Sequence, residues 1–112
     1  MPVYRLSQLP VGNIGSAYST AQGPVVLGQH LEFAQVHYQS GKGARPHRHP
    51  HEQLIYVVEG QLWARVGEEE FVAEPGDIIH VPPDVEHEVM AKGGPVTAIS
   101  CKNLVNGQGS PR

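Results

Sequence analysis

The sequence predicts an all-β domain, an antiparallel sandwich or small barrel, and three observations carry that prediction. Short β-branched and aromatic runs recur at roughly 8–12-residue spacing, as in small all-β domains. Turn residues punctuate them: 13 glycines and 10 prolines stand among 112 residues, too many for long helices. No stretch shows the 3.6-residue apolar period of a helix.

The elements follow in order. Residues 1–30, with Pro2, Pro10, Gly12, Gly15, Gly23, Pro24 and Gly28, read as short extended pieces between turns. This N-terminal segment can add a strand to a second copy of the chain, because an unpaired edge invites pairing. The barrel itself is expected over residues 31–105. Leu31-Glu32-Phe33 starts one alternation and Ala34, Val36 and Tyr38 continue on the opposite parity, a phase slip that predicts a bulge or bend. Leu54-Ile55-Tyr56-Val57-Val58 is a continuous run of the kind covered on both faces. Glu59-Gly60 turns it. Leu62, Ala64 and Val66 then alternate with Trp63 and Arg65, and Gly67-Glu68 reads as the tip of a hairpin leading to Phe71-Val72. After the turn Glu74-Pro75-Gly76-Asp77 come Ile78–Val81, Pro82-Pro83 and His87–Ala91. Val96–Cys101 closes a set of seven or eight strands. Residues 106–112 offer nothing to bury and are expected to form a flexible tail.

Composition narrows the function. Hydrophobic residues at 39% and charged residues at 17% fit one folded domain. A formal charge of −3 without any basic cluster gives a nucleic acid no electrostatic footing. No apolar run approaches the roughly 20 residues that cross a bilayer. Met1-Pro2-Val3-Tyr4-Arg5 lacks the charged-then-apolar order of a signal peptide. The single cysteine, Cys101, excludes an internal disulfide and suits a reducing cytosol, so a cytoplasmic protein is expected.

Histidine carries the chemistry. Of seven histidines, five lie between residues 47 and 87. His47 and His49 point to one face of an extended segment, so two imidazoles can converge on one ion. Gln53 shares their parity, and its amide oxygen could reach the same point. His87 stands at a strand start just after the turn Pro82-Pro83-Asp84-Val85, a rigid position of the kind metal sites need.

The spacings around these residues resemble a known family. Gly41, five residues, His47-Arg48-His49, three residues, Gln53, six residues and Gly60 is similar to the first cupin motif. Gly76, five residues, Pro82, one residue, Asp84, two residues and His87 is similar to the second. The family usually has glutamate at the Gln53 position, and often glycine and asparagine at those of Asp84 and Ala91. The resemblance spans Gly41 to Ala91 and implies a single-domain cupin-type β-barrel, the double-stranded β-helix or jelly roll. It also implies that His47, His49, Gln53 and His87 are metal ligands at the barrel mouth, with Glu52 the competing fourth candidate. The opposite parity of Glu52 should aim it away from the two histidines.

Three neutral imidazoles and a neutral amide leave the charge of a divalent ion uncompensated. That favours Lewis-acid work on an anionic or chelating small molecule. An imidazole-rich set suits Zn, Ni, Fe or Cu, and Mn is less expected without a carboxylate. His51 and His80 are candidate catalytic bases: His51 lies on the ligand parity beside Pro50, and His80 would serve if it points inward. His30 is read as a surface residue, and one of His37 and Tyr38 must face in. Tyr56, Trp63, Phe71 and Met90 are expected in the lining or core, Cys101 as a buried strand residue, and Arg48 outward.

The chain is similar to small cupins that linearise unsaturated uronates, to cupins that cyclise or isomerise polyketides, and to some dioxygenases. In the uronate group a late strand carries an acid, an aromatic and an arginine, whereas Ser100-Cys101-Lys102-Asn103-Leu104 here has neither acid nor arginine. The expected function is therefore a metal-dependent isomerase, cyclase or lyase. A dioxygenase of an aromatic or enol substrate and a non-catalytic ligand-binding barrel are the alternatives. Small cupins often pair, so a homodimer is expected.

Overall fold

The computed structural model describes residues 3–111; Met1, Pro2 and Arg112, the ends of the N-terminal segment and of the tail, lie outside them. A single turn of 3₁₀ helix at Leu6–Gln8 precedes eleven strands. Three are short: β1 (Gly12–Asn13), β2 (Gln22–Gly23) and β3 (Val25–Leu27). Eight form the body: β4 (Leu31–Tyr38), β5 (Gly43–His47), β6 (Gln53–Glu59), β7 (Leu62–Val66), β8 (Glu69–Ala73), β9 (Ile78–Val81), β10 (His87–Ala91) and β11 (Val96–Asn103). No helix among the described residues is long and apolar enough to cross a membrane.

Two antiparallel sheets face each other. One runs β1-β2-β4-β11-β6-β9, with β3 also on β4; the other runs β5-β10-β7-β8. Alternation places Ala44, Ile55, Val57, Leu62, Ala64, Ile79, Val81, Val89, Ala91, Val96 and Ala98 in one buried cluster between them. Ile14, Ala21, Ala34 and Val36 form a second. The N-terminal strands pair within the chain, β2 through Gln22 opposite His37 and β3 through Val25 opposite Ala34. The hairpin at Gly67-Glu68 is as expected, with Val66 opposite Glu69.

Three expectations are corrected. β4 pairs with β11 in unbroken register from Leu31–Asn103 to Tyr38–Val96, so there is no phase slip. Instead Glu32 shares the inner face with Ala34 and Val36, and Leu31 and Phe33 face out. A buried carboxylate is tolerated because Ser110 donates to it through both its backbone N–H and its hydroxyl. β6 is covered on one face only: Ile55 and Val57 are buried while Leu54, Tyr56 and Val58 are exposed. Tyr56 and Met90 therefore stand outside the barrel rather than in its lining.

One irregularity lies beside the histidines. Opposite β10, β5 carries one extra residue, since His87 pairs with His47 but Val89 with Ala44. Pro46 sits in that bulge, where a missing N–H costs no ladder bond. The inserted residue resets the parity, so Ala44 and His47 both face in. Residues 106–111, which offered no apolar side chain to bury, are held by polar contacts instead: Val105 bridges Gln108, and Ser110 reaches Glu32.

Candidate metal centre

His47 ends β5, His87 opens β10 as its cross-strand partner, and His49 lies in the loop leading to Gln53 at the start of β6. The loop is pinned at one point by the Asp84 N–H, which donates to the His49 carbonyl at 2.9 Å. Asp84 has φ 62°, the left-handed region that favours glycine and tolerates aspartate. That explains glycine at this position in the resembling motif. One ring nitrogen from each of His47, His49 and His87 lies within 4.8 Å of the others. With metal–nitrogen bonds of about 2.1 Å, tetrahedral ligands stand about 3.4 Å apart, so side-chain rotations close the remainder.

Each ring is oriented by a backbone carbonyl. His47 Nδ1 faces the Arg45 oxygen at 2.6 Å, His87 Nδ1 the Val85 oxygen at 3.0 Å and His49 Nδ1 the His51 oxygen at 3.1 Å. With Nδ1–H donated there, every Nε2 carries a lone pair, the state in which imidazole binds a metal. Burial, aided by the neighbouring histidines and Lys102, lowers His47 and His49 to about 4. His87 is lowered too, again mainly by burial. All three are neutral near pH 7.

His49 also meets Gln53. Its second nitrogen, Nε2, faces Gln53 Oε1 at 3.2 Å. A neutral imidazole has one N–H, and with Nδ1–H donated to the His51 carbonyl the Nε2 lone pair is open to a cation. A cation between Nε2 and Oε1 would be held by both, and their 3.2 Å is near the about 3.4 Å between neighbouring ligands on one ion. In this orientation Gln53 Nε2 donates to Ser100 Oγ at 2.8 Å, which leaves Oε1 facing His49. The residues present thus fit a metal ion. Glu52 points to the outer face, where its carboxylate meets His80 Nε2 at 2.8 Å.

That pair also locates His80: it is exposed, without the inward orientation a proton shuttle requires. His51 is buried with Nε2 2.9 Å from the Gln108 carbonyl, and its Nδ1 has no hydrogen-bond partner among the described residues. Neither ring lines the cavity beneath the histidines. His37 is exposed, 3.0 Å from Thr97 Oγ1 at the other end of the sheet, and Tyr38 faces in.

Four further groups build the site. Tyr18 stacks on His47 at 3.7 Å between centroids, with the planes 13° apart, and shields that imidazole from water. Ser100 and Lys102 lie on the inner parity of β11 with Val96 and Ala98. The alternation of the late strand places them there from sequence alone, once it is read as a face. Arg65 reaches both Glu86 and Glu88 at 2.9 and 2.8 Å, bracing the two neighbours of His87. Tyr18 gave no signal, since long-range contacts such as the bridge from Ser19 to Ala44 bring it in. The cavity is about 40 Å³, lined among others by Tyr18, His47, Gln53, His87, Ser100 and Lys102.

The sequence model of the cupin domain matches residues 34–101, more than half of the chain, and the protein belongs to the cupin family. Comparison with curated proteins gave no match. Among solved structures, an RmlC-like cupin from Shewanella frigidimarina superposes with a TM-score of 0.82 at 23% identity, over 94% of this chain and 92% of that one. KdgF from a Halomonas species gives 0.78 at 20% identity, over 89% and 90%. A predicted oxalate decarboxylase from Thermotoga maritima gives 0.77 at 16%, over 92% and 99%. At these identities the likeness establishes the fold, the all-β jelly roll.

Proposed function

We propose that the protein is a metal-dependent enzyme of the isomerase, cyclase or lyase type, acting on a small anionic or chelating substrate. The observation that carries this reading is the convergence of His47, His49 and His87, one ring nitrogen of each within 4.8 Å of the others, with Gln53 beside His49. Zn, Ni, Fe or Cu held by His47, His49, His87 and Gln53 would supply Lewis-acid polarisation of a substrate oxygen. The chain's own contribution is positional. Carbonyls of Arg45, His51 and Val85 fix the imidazole tautomers, and Ser100 aims the amide oxygen of Gln53. Tyr18 covers one face of His47, which keeps bulk water from that ligand.

Elemental analysis of tag-free protein, beside a His47→Ala/His87→Ala double variant, tests the reading. The expected result is about one equivalent of transition metal in the wild type, lost in the variant, with a thermal midpoint raised by metal in the wild type alone. Zinc or nickel favours the proposed chemistry. Iron or copper together with substrate-dependent oxygen uptake moves dioxygenation ahead. No metal in either protein, even after incubation with metal salts, leaves a ligand-binding barrel.

A further inference from the structure

Residues 104–111, after β11, form a strap fastened at several points near the histidines. A tight turn opens it. Val105 and Gln108 exchange both backbone hydrogen bonds, at 2.9 and 3.0 Å, around Asn106 (φ 52°) and Gly107 (φ 74°). Two left-handed residues between bridged partners make a type I′ turn, the form that Asn-Gly favours. Ser110 then donates to Glu32 through its N–H at 2.8 Å and its hydroxyl at 2.9 Å, and accepts from Lys102 at 2.6 Å. Gly109 lies so close to Glu32 that a methyl group there would meet Oε1. Glu32 and Lys102 are both buried, so this anchor is shielded from water.

Two lines of hydrogen bonds run from the strap to the imidazoles. On one, the Gln108 carbonyl accepts from His51 Nε2 at 2.9 Å, and the His51 carbonyl accepts from His49 Nδ1 at 3.1 Å. On the other, the Pro111 carbonyl accepts from the Gly15 N–H, and the Gly15 carbonyl accepts from Tyr18 and Ser19 at 3.0 and 2.8 Å. The Tyr18 carbonyl accepts from the Arg45 N–H at 2.8 Å and that of Ala17 from its guanidinium at 2.6 Å. The Arg45 carbonyl then takes His47 Nδ1. Both histidines are thus oriented through groups that the strap holds.

Resting on the metal reading above, we infer that the strap is a positioning element of the metal centre, and His51 the positioning residue that ties it to His49. The His49 loop lies between β5 and β6, where no ladder fixes it. It is held by the Asp84 N–H on the His49 carbonyl, by Asn103 Oδ1 on the Glu52 N–H and by the strap on His51. His51 is 8% exposed and lies off the cavity, so its ring serves the strap and not a ligand. Freed from Gln108, the loop would no longer present the carbonyl that keeps the His49 proton on Nδ1. Part of the population would then carry N–H at Nε2, where a metal needs a lone pair.

Zinc affinity, by competition with a chromophoric chelator, and the urea midpoint of the metal-free protein test this together on tag-free variants. His51→Phe keeps a ring in place and removes the bond to Gln108; it should bind zinc about tenfold more weakly. His51→Gln offers an amide N–H in place of Nε2 and should restore binding close to wild type. Asn106→Ala/Gly107→Ala strains the turn without touching a buried residue or a ligand, and should weaken zinc binding too. Gly60→Ala, at the end of β6 away from Gln53, should lower the midpoint and leave zinc affinity unchanged. That control separates positioning from a general loss of stability. Wild-type zinc affinity in His51→Phe or in the turn variant overturns the inference. So does a His51→Gln variant as weak as His51→Phe, or an equal weakening in Gly60→Ala. Failure of the wild type to take up zinc instead sinks the metal reading, and this inference with it.

Discussion

His49 shows how one side chain gathers the groups of the candidate site. Its Nδ1 faces the His51 carbonyl and its Nε2 the Gln53 amide. Ser100 holds that arrangement by fixing the Gln53 amide. Removing its hydroxyl should therefore weaken metal binding without touching a ligand. Ser100→Ala is expected to lower zinc affinity about tenfold, the small end of the usual effect of losing a group behind a ligand, in competition with a chromophoric chelator. Unchanged affinity would remove Gln53 from the ligand set. Protonation supplies a second prediction. In the metal-free protein, burial first and neighbouring positive charge second hold His47 and His49 near 4, below the ordinary 6.5. Between those values the unfolded chain binds more protons than the folded one, so stability rises with pH there. It should be greatest above pH 6.5, decline as pH falls, and lose the whole contribution once pH passes below 4. Urea midpoints across that range, for wild type and His47→Ala, check the sign: the variant's decline should be shallower, and parallel curves would contradict it.

Turns and bulges explain why the same residues arrive at one point. Gly60, between β6 and β7, has φ 84°, and a methyl group there would meet the carbonyl oxygen of Pro95. Gly60→Ala should cost about 2 kcal/mol or more, from left-handed strain plus the displaced neighbour, read as a lower urea midpoint. A midpoint within error of wild type would mean that the turn relaxes freely. Such turns are legible in the sequence, because glycine and proline mark them directly. The motif spacings likewise brought out the three histidines and Gln53, and the parity of Glu52 correctly turned it away. Other features were hidden for physical reasons. The inserted residue of β5 has no compositional mark except Pro46, so the parity reset that turns His47 inward could not be counted from Ala44. Glu32 was misread because a carboxylate looks like a surface residue until Ser110, far along the chain, is seen to satisfy it. Tyr18 reaches His47 through a long-range bridge, which no local pattern encodes.

The whole molecule presents one face that its own chain leaves uncovered. Across the outer side of the larger sheet, Phe33 stands opposite Cys101 and Cys101 opposite Leu54, while Ile99 stands opposite Tyr56 and Tyr56 opposite Ile78. Leu54, Tyr56 and Ile78 are 46%, 44% and 63% exposed, so this is a contiguous apolar patch and not scattered residues. The Glu52–His80 pair lies at its margin. A second copy is the partner expected for it, because an apolar patch shared by four strands buries well against its like around a two-fold axis. Strands ~4.8 Å apart and residues rising ~3.4 Å each give β4, β11, β6 and β9 a patch of roughly 300 Å². A standard interface takes roughly 800 Å² from each partner, so the rim must contribute and the dimer should dissociate on dilution. Sedimentation velocity over a concentration series should show a monomer–dimer equilibrium for the wild type. A Leu54→Lys/Ile78→Lys variant should sediment as a monomer throughout and still carry its full metal content, since both side chains point away from the histidines. A wild type that stays monomeric at the highest concentration would refute self-association through this face. So would a variant that dimerises as before.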